Sequence, residues 1–218
     1  MKSKLLIVFA IIVISIISIL ISENYANVGS SQKYQYKFWQ KDMVFENNQH
    51  YLRVLFSRSD DYGKTFSEPI DMSMTDLNAH EPKMIIMHDD VILVWRDEIK
   101  NGSVLSLAKS TDFGKTFEKK ELFSGARPDI KYYDKTLYLT YVDQDLLKIL
   151  YSKSNDGGQT FSAPKMIFKI DWELSPYDER PLPVLDVDAD KVTITWKLQN
   201  KAWSATDYNK DDSFDVVS

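Results

Sequence analysis

The 218-residue chain contains no cysteine. That absence excludes disulfides, zinc–thiolate sites, a thiol nucleophile and an acylated lipid anchor. Histidine is nearly as scarce, and His50, His80 and His88 are too dispersed for a zinc site of ordinary spacing, so no metal and no cofactor is expected. Only seven glycines are present, and they form neither a phosphate-cradling loop nor a G-x-S-x-G elbow. Basic charge is not in excess: 27 Lys and Arg stand against 32 Asp and Glu, a net charge of -5, which argues against a nucleic-acid partner. With 44% hydrophobic and 13% aromatic residues, the chain is nonetheless too rich in core-forming side chains to be disordered.

One long apolar run is present, at the start. After the cationic head Met1-Lys2-Ser3-Lys4, residues Leu5 to Ile21 are interrupted only by Ser15 and Ser18. Seventeen residues is long for a secretory h-region and sufficient for a membrane span, and Asn24 spoils the small-x-small cleavage pattern ahead of Ala26. Residues 1–22 are therefore expected to form a signal anchor, with a cleaved signal peptide as the alternative. Positive charge before the run and Glu23 after it would place the rest outside the cytoplasm. Residues 23–32 read as a linker and 33–218 as the folded domain, 186 residues with 25 basic and 31 acidic side chains.

That domain repeats. Ser59-Asp60-Asp61-Tyr62-Gly63-Lys64-Thr65-Phe66 recurs at Ser110 to Phe117 and at Ser154 to Phe161, each reading S-x-D-x-G-x-T-F. Five fixed positions match by accident about once in a million starts, so three matches mean duplication. In physical terms the octet is a turn. Gly63, Gly114 and Gly158 supply positive φ, and Asp61, Asp112 and Asp156 accept backbone N–H groups. Ser59, Ser110 and Ser154 with Thr65, Thr116 and Thr160 tie the arms, and Phe66, Phe117 and Phe161 anchor the loop. The octet resembles the Asp-box (bacterial neuraminidase repeat) of the sialidase superfamily. The resemblance implies an all-β fold of four-stranded propeller blades, with the box as a structural turn remote from any catalytic centre.

A second period supports the first. Pro82, Pro128 and Pro183 each precede an alternating run that ends thirteen residues later on Trp95, Tyr141 or Trp196. Within it Met84/Ile130/Leu185, Ile86/Tyr132/Val187, Val91/Leu137/Val192 and Leu93/Leu139/Ile194 place apolar residues on one face, a hairpin signal. One unit is thus two hairpin strands, a third strand leading into the octet and a fourth after it, about 45–50 residues. Four units fit: a diverged one beginning near Tyr34, two clear ones, and a fourth whose octet, ending at Phe214, has an insertion and no glycine. Six blades, as in sialidases, would need roughly 300 residues. The expected arrangement is a closed four-bladed ring; the alternative is an open arc that would pair with another chain, giving a homo-oligomer.

Strand alternation gathers one set of loops. His80, Glu81, Arg96, Asp97 and Glu98 of unit two, Arg127, Asp143 and Asp145 of unit three, and Tyr177 to Arg180 before unit four share one end. By resemblance to the sialidase arginine triad, Arg96, Arg127 and Arg180 would hold a carboxylate, with Glu81 and His80 beside them. Tyr177 with Glu179 would then supply a nucleophile, and Asp97 or Asp143 an acid/base. The plainer alternative is that these arginines pair with acids to stitch neighbouring blades. The chain lacks the family's Arg-Ile-Pro triplet in its first unit, so the expected function is a membrane-tethered module binding a glycan or an extracytoplasmic protein; a reduced sialidase-like hydrolase is the alternative. Two further motifs are weaker. Asp186-x-Asp188-x-Asp190 lacks the Gly and Glu of a calcium loop, and Asn101-Gly102-Ser103 is a glycosylation sequon.

Overall fold

A computed structural model describes residues 33–45, 48–171, 180–199 and 201–217. The expected N-terminal span, Tyr177 and Glu179 lie outside these residues. Every regular element described is a strand, and the strands form four antiparallel sheets in chain order. Sheet one holds β1 (Gln35–Val44), β2 (His50–Ser59) and β3 (Ile70–Asp71). Sheet two holds β4 (Ala79–Met87), β5 (Asp90–Ile99), β6 (Gly102–Ser110) and β7 (Glu118–Ser124). Sheet three follows with β8 (Ala126–Tyr133), β9 (Thr136–Val142), β10 (Lys148–Ser154) and β11 (Lys165–Lys169). Sheet four is β12 (Val184–Val187), β13 (Val192–Leu198), β14 (Lys201–Asp207) and β15 (Asp215–Val217).

The first strands β4, β8 and β12 pack on one another and so lie innermost. Sheet one departs from the expected four strands. Its octet follows β2, so β1 and β2 are the second and third strands of a unit, and no first strand is present among the described residues.

Each residue aligned in the sequence faces the preceding sheet. Met84, Ile86, Val91, Leu93 and Trp95 join Tyr36, Phe38, Val54 and Phe56 in a core between sheets one and two. Ile130, Leu137, Leu139 and Tyr141 meet Ile92, Val94, Leu105 and Leu107 between sheets two and three. Leu185, Val192, Ile194 and Trp196 meet Tyr138, Ile149 and Tyr151 between sheets three and four. Three such cores join four sheets, whereas a ring needs a fourth. Among the described residues no strand of sheet four pairs with sheet one, and no comparable packing joins them. The expected closed ring is therefore corrected to an open arc.

The octets fasten the arc. Ser59 Oγ donates to Asp61 Oδ1 at 2.7 Å and accepts the Gly63 N–H at 2.9 Å; Asp61 in turn accepts the Thr65 N–H at 2.9 Å and the Thr65 hydroxyl at 2.7 Å. The same bonds recur at Ser110, Asp112 and Thr116, and at Ser154, Asp156 and Thr160. Hydrogen bonds from the Thr65 backbone, then from Ser59 and Thr65 side chains, hold the Asp61 carboxyl down at about 2, and Asp112 and Asp156 are lowered in the same way. Two consecutive left-handed residues make each turn, Tyr62-Gly63, Phe113-Gly114 and Gly157-Gly158. In the fourth unit, without glycine, Asp207 takes the place of the serine: its carboxylate accepts the N–H groups of Asn209 at 3.1 Å and Asp212 at 2.8 Å.

The closing phenylalanine of the second, third and fourth octets inserts one sheet back. Phe117 meets Phe56 edge-on at 4.9 Å, Phe161 joins the Leu107 core, and Phe214 meets Tyr151 at 5.0 Å. Phe56, Leu107 and Tyr151 each stand three residues before an octet. Among the described residues no sheet precedes the one that carries Phe66, and Lys37 Nζ lies 4.1 Å from its ring centroid.

Candidate functional site

The inner ends of β4 and β8 are irregular for a reason written in the sequence. Pro82 and Pro128 have no N–H to give the ladder, and the pairing register shifts between His80 and Lys83 and between Ala126 and Asp129. The residues in these bulges, Glu81 and Arg127, take φ of 58° and 56°, left-handed values that cost a side-chain-bearing residue of the order of 1 kcal/mol.

The bulges bring the expected residues together. Glu81 Oε2 accepts the Arg127 N–H at 2.6 Å and lies 3.6 Å from Arg96 Nε. The Arg127 guanidinium donates to the carbonyls of Arg180 at 2.6 Å and Pro181 at 3.0 Å. Burial, with Arg96 and Arg180 nearby and Glu81 opposing them, lowers the Arg127 pKa from its ordinary value. Two donors in this cluster are left over: Arg96 Nε and Arg180 NH1 are buried with no hydrogen-bond partner. His80 turns aside to Glu98, with Nε2 3.0 Å from Oε1.

Part of this network stitches neighbouring sheets. Gln40 Oε1 accepts the Glu81 N–H at 3.4 Å, Glu81 then takes the Arg127 N–H, and Arg127 takes the chain leading into sheet four. A parallel line runs from Lys83 to Asp129 at 3.6 Å and from Asp129 Oδ2 to the Leu185 N–H at 2.8 Å. Sequence reasoning overlooked Gln40, Lys83 and Asp129; the last two stand immediately after the repeating prolines, the signal that could have found them.

The two candidate acids stand elsewhere. Asp97 is fully buried in the joint between sheets one and two. Its Oδ2 accepts the Trp95 indole N–H and the Ser106 hydroxyl, each at 2.6 Å, and burial raises its pKa against those bonds. Asp143 caps the β9–β10 turn, accepting N–H groups from Leu147 at 2.8 Å and Lys148 at 2.9 Å. Burial raises its pKa, but the bonds from Lys148 and Leu147 prevail and lower it overall.

Glu81, Arg127 and Arg180 form the inner end of an open groove of about 1020 Å³. The groove continues across sheet four over Leu182, Val184, Thr195, Lys197, Ser204 and Val217. Trp196 and Trp203, parallel and 6.4 Å apart, also line it, and both indole nitrogens are buried without a partner.

No protein-family profile and no curated protein sequence matches the chain. Solved structures do. An α-L-arabinofuranosidase from Fusarium graminearum, in complex with an iminosugar inhibitor, is similar over 87% of this chain and 64% of its own, at 15% identity and TM-score 0.60. An exo-β-1,3-galactanase from Phanerochaete chrysosporium matches over 89% and 48%, at 13% identity and TM-score 0.56. A Hadza microbial sialidase matches over 83% and 41%, at 13% identity and TM-score 0.52. This chain thus spans between two-fifths and two-thirds of the length of these neighbours. At such identities the likeness is one of fold: the chain is a partial β-propeller of the architecture used by glycoside hydrolases and sialidases.

Proposed function

We propose that the chain is an Asp-box propeller module that binds carbohydrate outside the cytoplasm, tethered through residues 1–22, with the groove beside Arg127 and Arg180 as its site. One observation carries this reading. Three of the five arginines gather at one place: Arg96 Nε pairs with Glu81, Arg127 gives Glu81 its backbone N–H and its guanidinium to the Arg180 carbonyl, and Arg180 NH1 is left without a hydrogen-bond acceptor. Forked guanidinium donors suit the oxygens of a carboxylate or a diol. The saccharide ligands of the similar structures, an iminosugar in one and β-1,3-galactotriose in another, support a glycan over a protein partner.

Binding without hydrolysis is the preferred form. Glycoside hydrolysis ordinarily needs two carboxyl groups flanking the scissile bond. Among the described residues that line the groove, Glu81 is the one acid, and it is held between Arg96 and the Arg127 N–H. The full-length chain on a broad glycan array should give a defined set of positive saccharides, and Arg180→Ala should weaken them about tenfold or more with an unchanged melting temperature. A uniformly blank array would refute the reading, and release of a fluorogenic sialoside above the Arg127→Ala background would replace binding with hydrolysis.

A further inference from the structure

The hairpin turns at one end of the arc change in polarity from sheet to sheet. Those joining β1 to β2 and β5 to β6 lie at the end that holds Glu81 and Arg127, because β1 and β5 both run away from the octets. Val44 and Phe45 at the first turn, Ile99 at the second, and Met74 and Leu77 in the connection between sheets one and two are all exposed. At the matching turns of sheets three and four the exposed residues, among those described, are polar: Gln144 and Asp145, then Gln199 and Lys201. Apolar side chains gathered at one end of a folded domain mark a contact surface.

This surface is held in place. The Phe45 N–H bonds the Gln49 carbonyl at 3.0 Å, and the Phe45 ring packs edge-on against Tyr51 with centroids 5.6 Å apart. The connection is braced on both sides: Arg53 NH1 donates to the Leu77 carbonyl at 3.0 Å, Asn78 Oδ1 accepts the Leu52 N–H at 2.9 Å, and the Thr75 hydroxyl donates to the Glu98 carbonyl at 3.0 Å. These bonds place Met74 and Leu77 between the two turns. Nearby exposed charges balance, Lys41 and Lys100 against Asp42 and Asp76, so the surface favours an apolar partner over a charged one.

The chain before Lys33 points to that partner. Residues 23–32 separate β1 from the apolar run Leu5 to Ile21, and ten residues span at most about 33–36 Å. The ten residues of β1, at about 3.4 Å each, carry the chain about 30 Å from the octet end to the first turn. A tether of that length keeps the domain beside a bilayer and lets the far end of sheet one reach it. We propose that the end formed by Val44, Phe45, Met74, Leu77 and Ile99 rests in the interfacial layer of the membrane that residues 1–22 enter, its apolar side chains seated about 5–10 Å deep. The inference rests on the tether reading above and adds which surface of the domain meets the lipid. The polar turns of sheets three and four stay in water, which leaves the groove on sheet four open to a ligand.

The test reconstitutes the full-length, otherwise cysteine-free chain with a single fluorophore-labelled cysteine. The vesicles are phosphatidylcholine with or without phosphatidylglycerol, and each contains a lipid bearing a nitroxide quencher just below its headgroup. One label is placed by Ile99→Cys, the other by Tyr62→Cys, an exposed site at the opposite end of sheet one, where the Tyr62 N–H bonds the Lys33 carbonyl at 3.0 Å. The Ile99→Cys label should be quenched about twofold or more in both kinds of vesicle and the Tyr62→Cys label left bright. Adding Phe45→Asp and Leu77→Asp should free the Ile99→Cys label from the quencher while the chain still floats with the vesicles. In a chain that floats, an unquenched Ile99→Cys label, equal quenching at both sites, quenching confined to vesicles with phosphatidylglycerol, or quenching unaltered by the two aspartates would overturn the docked end and leave the tether intact. A chain that does not float with the vesicles would overturn the tether and this inference together.

Discussion

Sheets two and three differ from sheet four in a way that one strand displays. In β5 the run Val91 to Trp95 is buried throughout, and in β9 so is Leu137 to Val142, because each strand has a sheet on both sides. In β13 burial alternates, because among the described residues only one side meets another sheet. The second-last residue of the period makes the point at a single site. Val94 and Thr140 are fully buried, Thr140 donating to the Leu150 carbonyl at 3.0 Å, while Thr195, in the same place of sheet four, is exposed. The same backbone thus serves as a joint when doubly apolar and as a surface when alternating, and the sequence chooses between them.

The clasps between sheets tell the same story from the octet side. The residue just before each octet is basic and reaches the next sheet's loop. Arg58 donates to the Phe113 carbonyl at 3.3 Å, Lys109 to the Gly157 carbonyl at 2.9 Å, and Lys153 to Asp212 at 2.9 Å. In sheet four that position is Thr206.

The largest effect expected from this contrast is in packing. Ile92→Ala, in the joint between sheets two and three, should cost about 2–5 kcal/mol in denaturant unfolding. Thr195→Ala should fall within about 0.5 kcal/mol of the unaltered chain; a comparable loss would mean that the sheet-four face is packed. Next come the clasps. Lys109→Ala should cost about 1 kcal/mol, its charged bond being partly screened by solvent, whereas Thr206→Lys should change nothing measurable.

The smallest contrast is in acid. Asp61, Asp112 and Asp156 have lowered pKa values in the fold, so the stability they contribute is complete above the unfolded carboxyl range near 4 and is lost as pH falls through their folded values, about 2 for Asp61. Asp97, raised by burial, acts with the opposite sign, its contribution growing as pH falls. Denaturant midpoints between pH 5 and 2 should therefore drop less steeply in an Asp61→Asn, Asp112→Asn, Asp156→Asn variant; identical slopes would show that the octet carboxylates are not held as the geometry implies.

Much of the fold could be read in advance, since repetition is a property of sequence. The octets, the prolines and the alternating apolar residues set strand order, and they identify the face each strand turns to its predecessor. Closure could not be read, because it depends on what sheets one and four present to each other and no local pattern records a missing contact. The alternation of Val192 to Leu198 did carry the hint, since a strand covered on both sides has no reason to place Thr195 and Lys197 between its apolar residues. At the site, the gathering of Arg96, Arg127 and Glu81 followed from strand direction. The bulges at Pro82 and Pro128 then decide where each side chain goes, sending the Arg127 guanidinium to backbone carbonyls and the Glu81 carboxylate to a neighbouring N–H. Asp97 went the other way, because it follows Trp95 by two residues and shares its buried face.

The absence of cysteine makes the central claim directly testable. Thr195→Cys and Thr140→Cys place a single thiol at equivalent positions of the open and the covered sheet, and maleimide labelling of the native full-length chain reads their accessibility. The open arc predicts that Thr195→Cys reacts at the rate of a free thiol at every protein concentration, while Thr140→Cys reacts only on unfolding. Protection of Thr195→Cys equal to that of Thr140→Cys would contradict it, showing the sheet-four face to be covered in the folded protein.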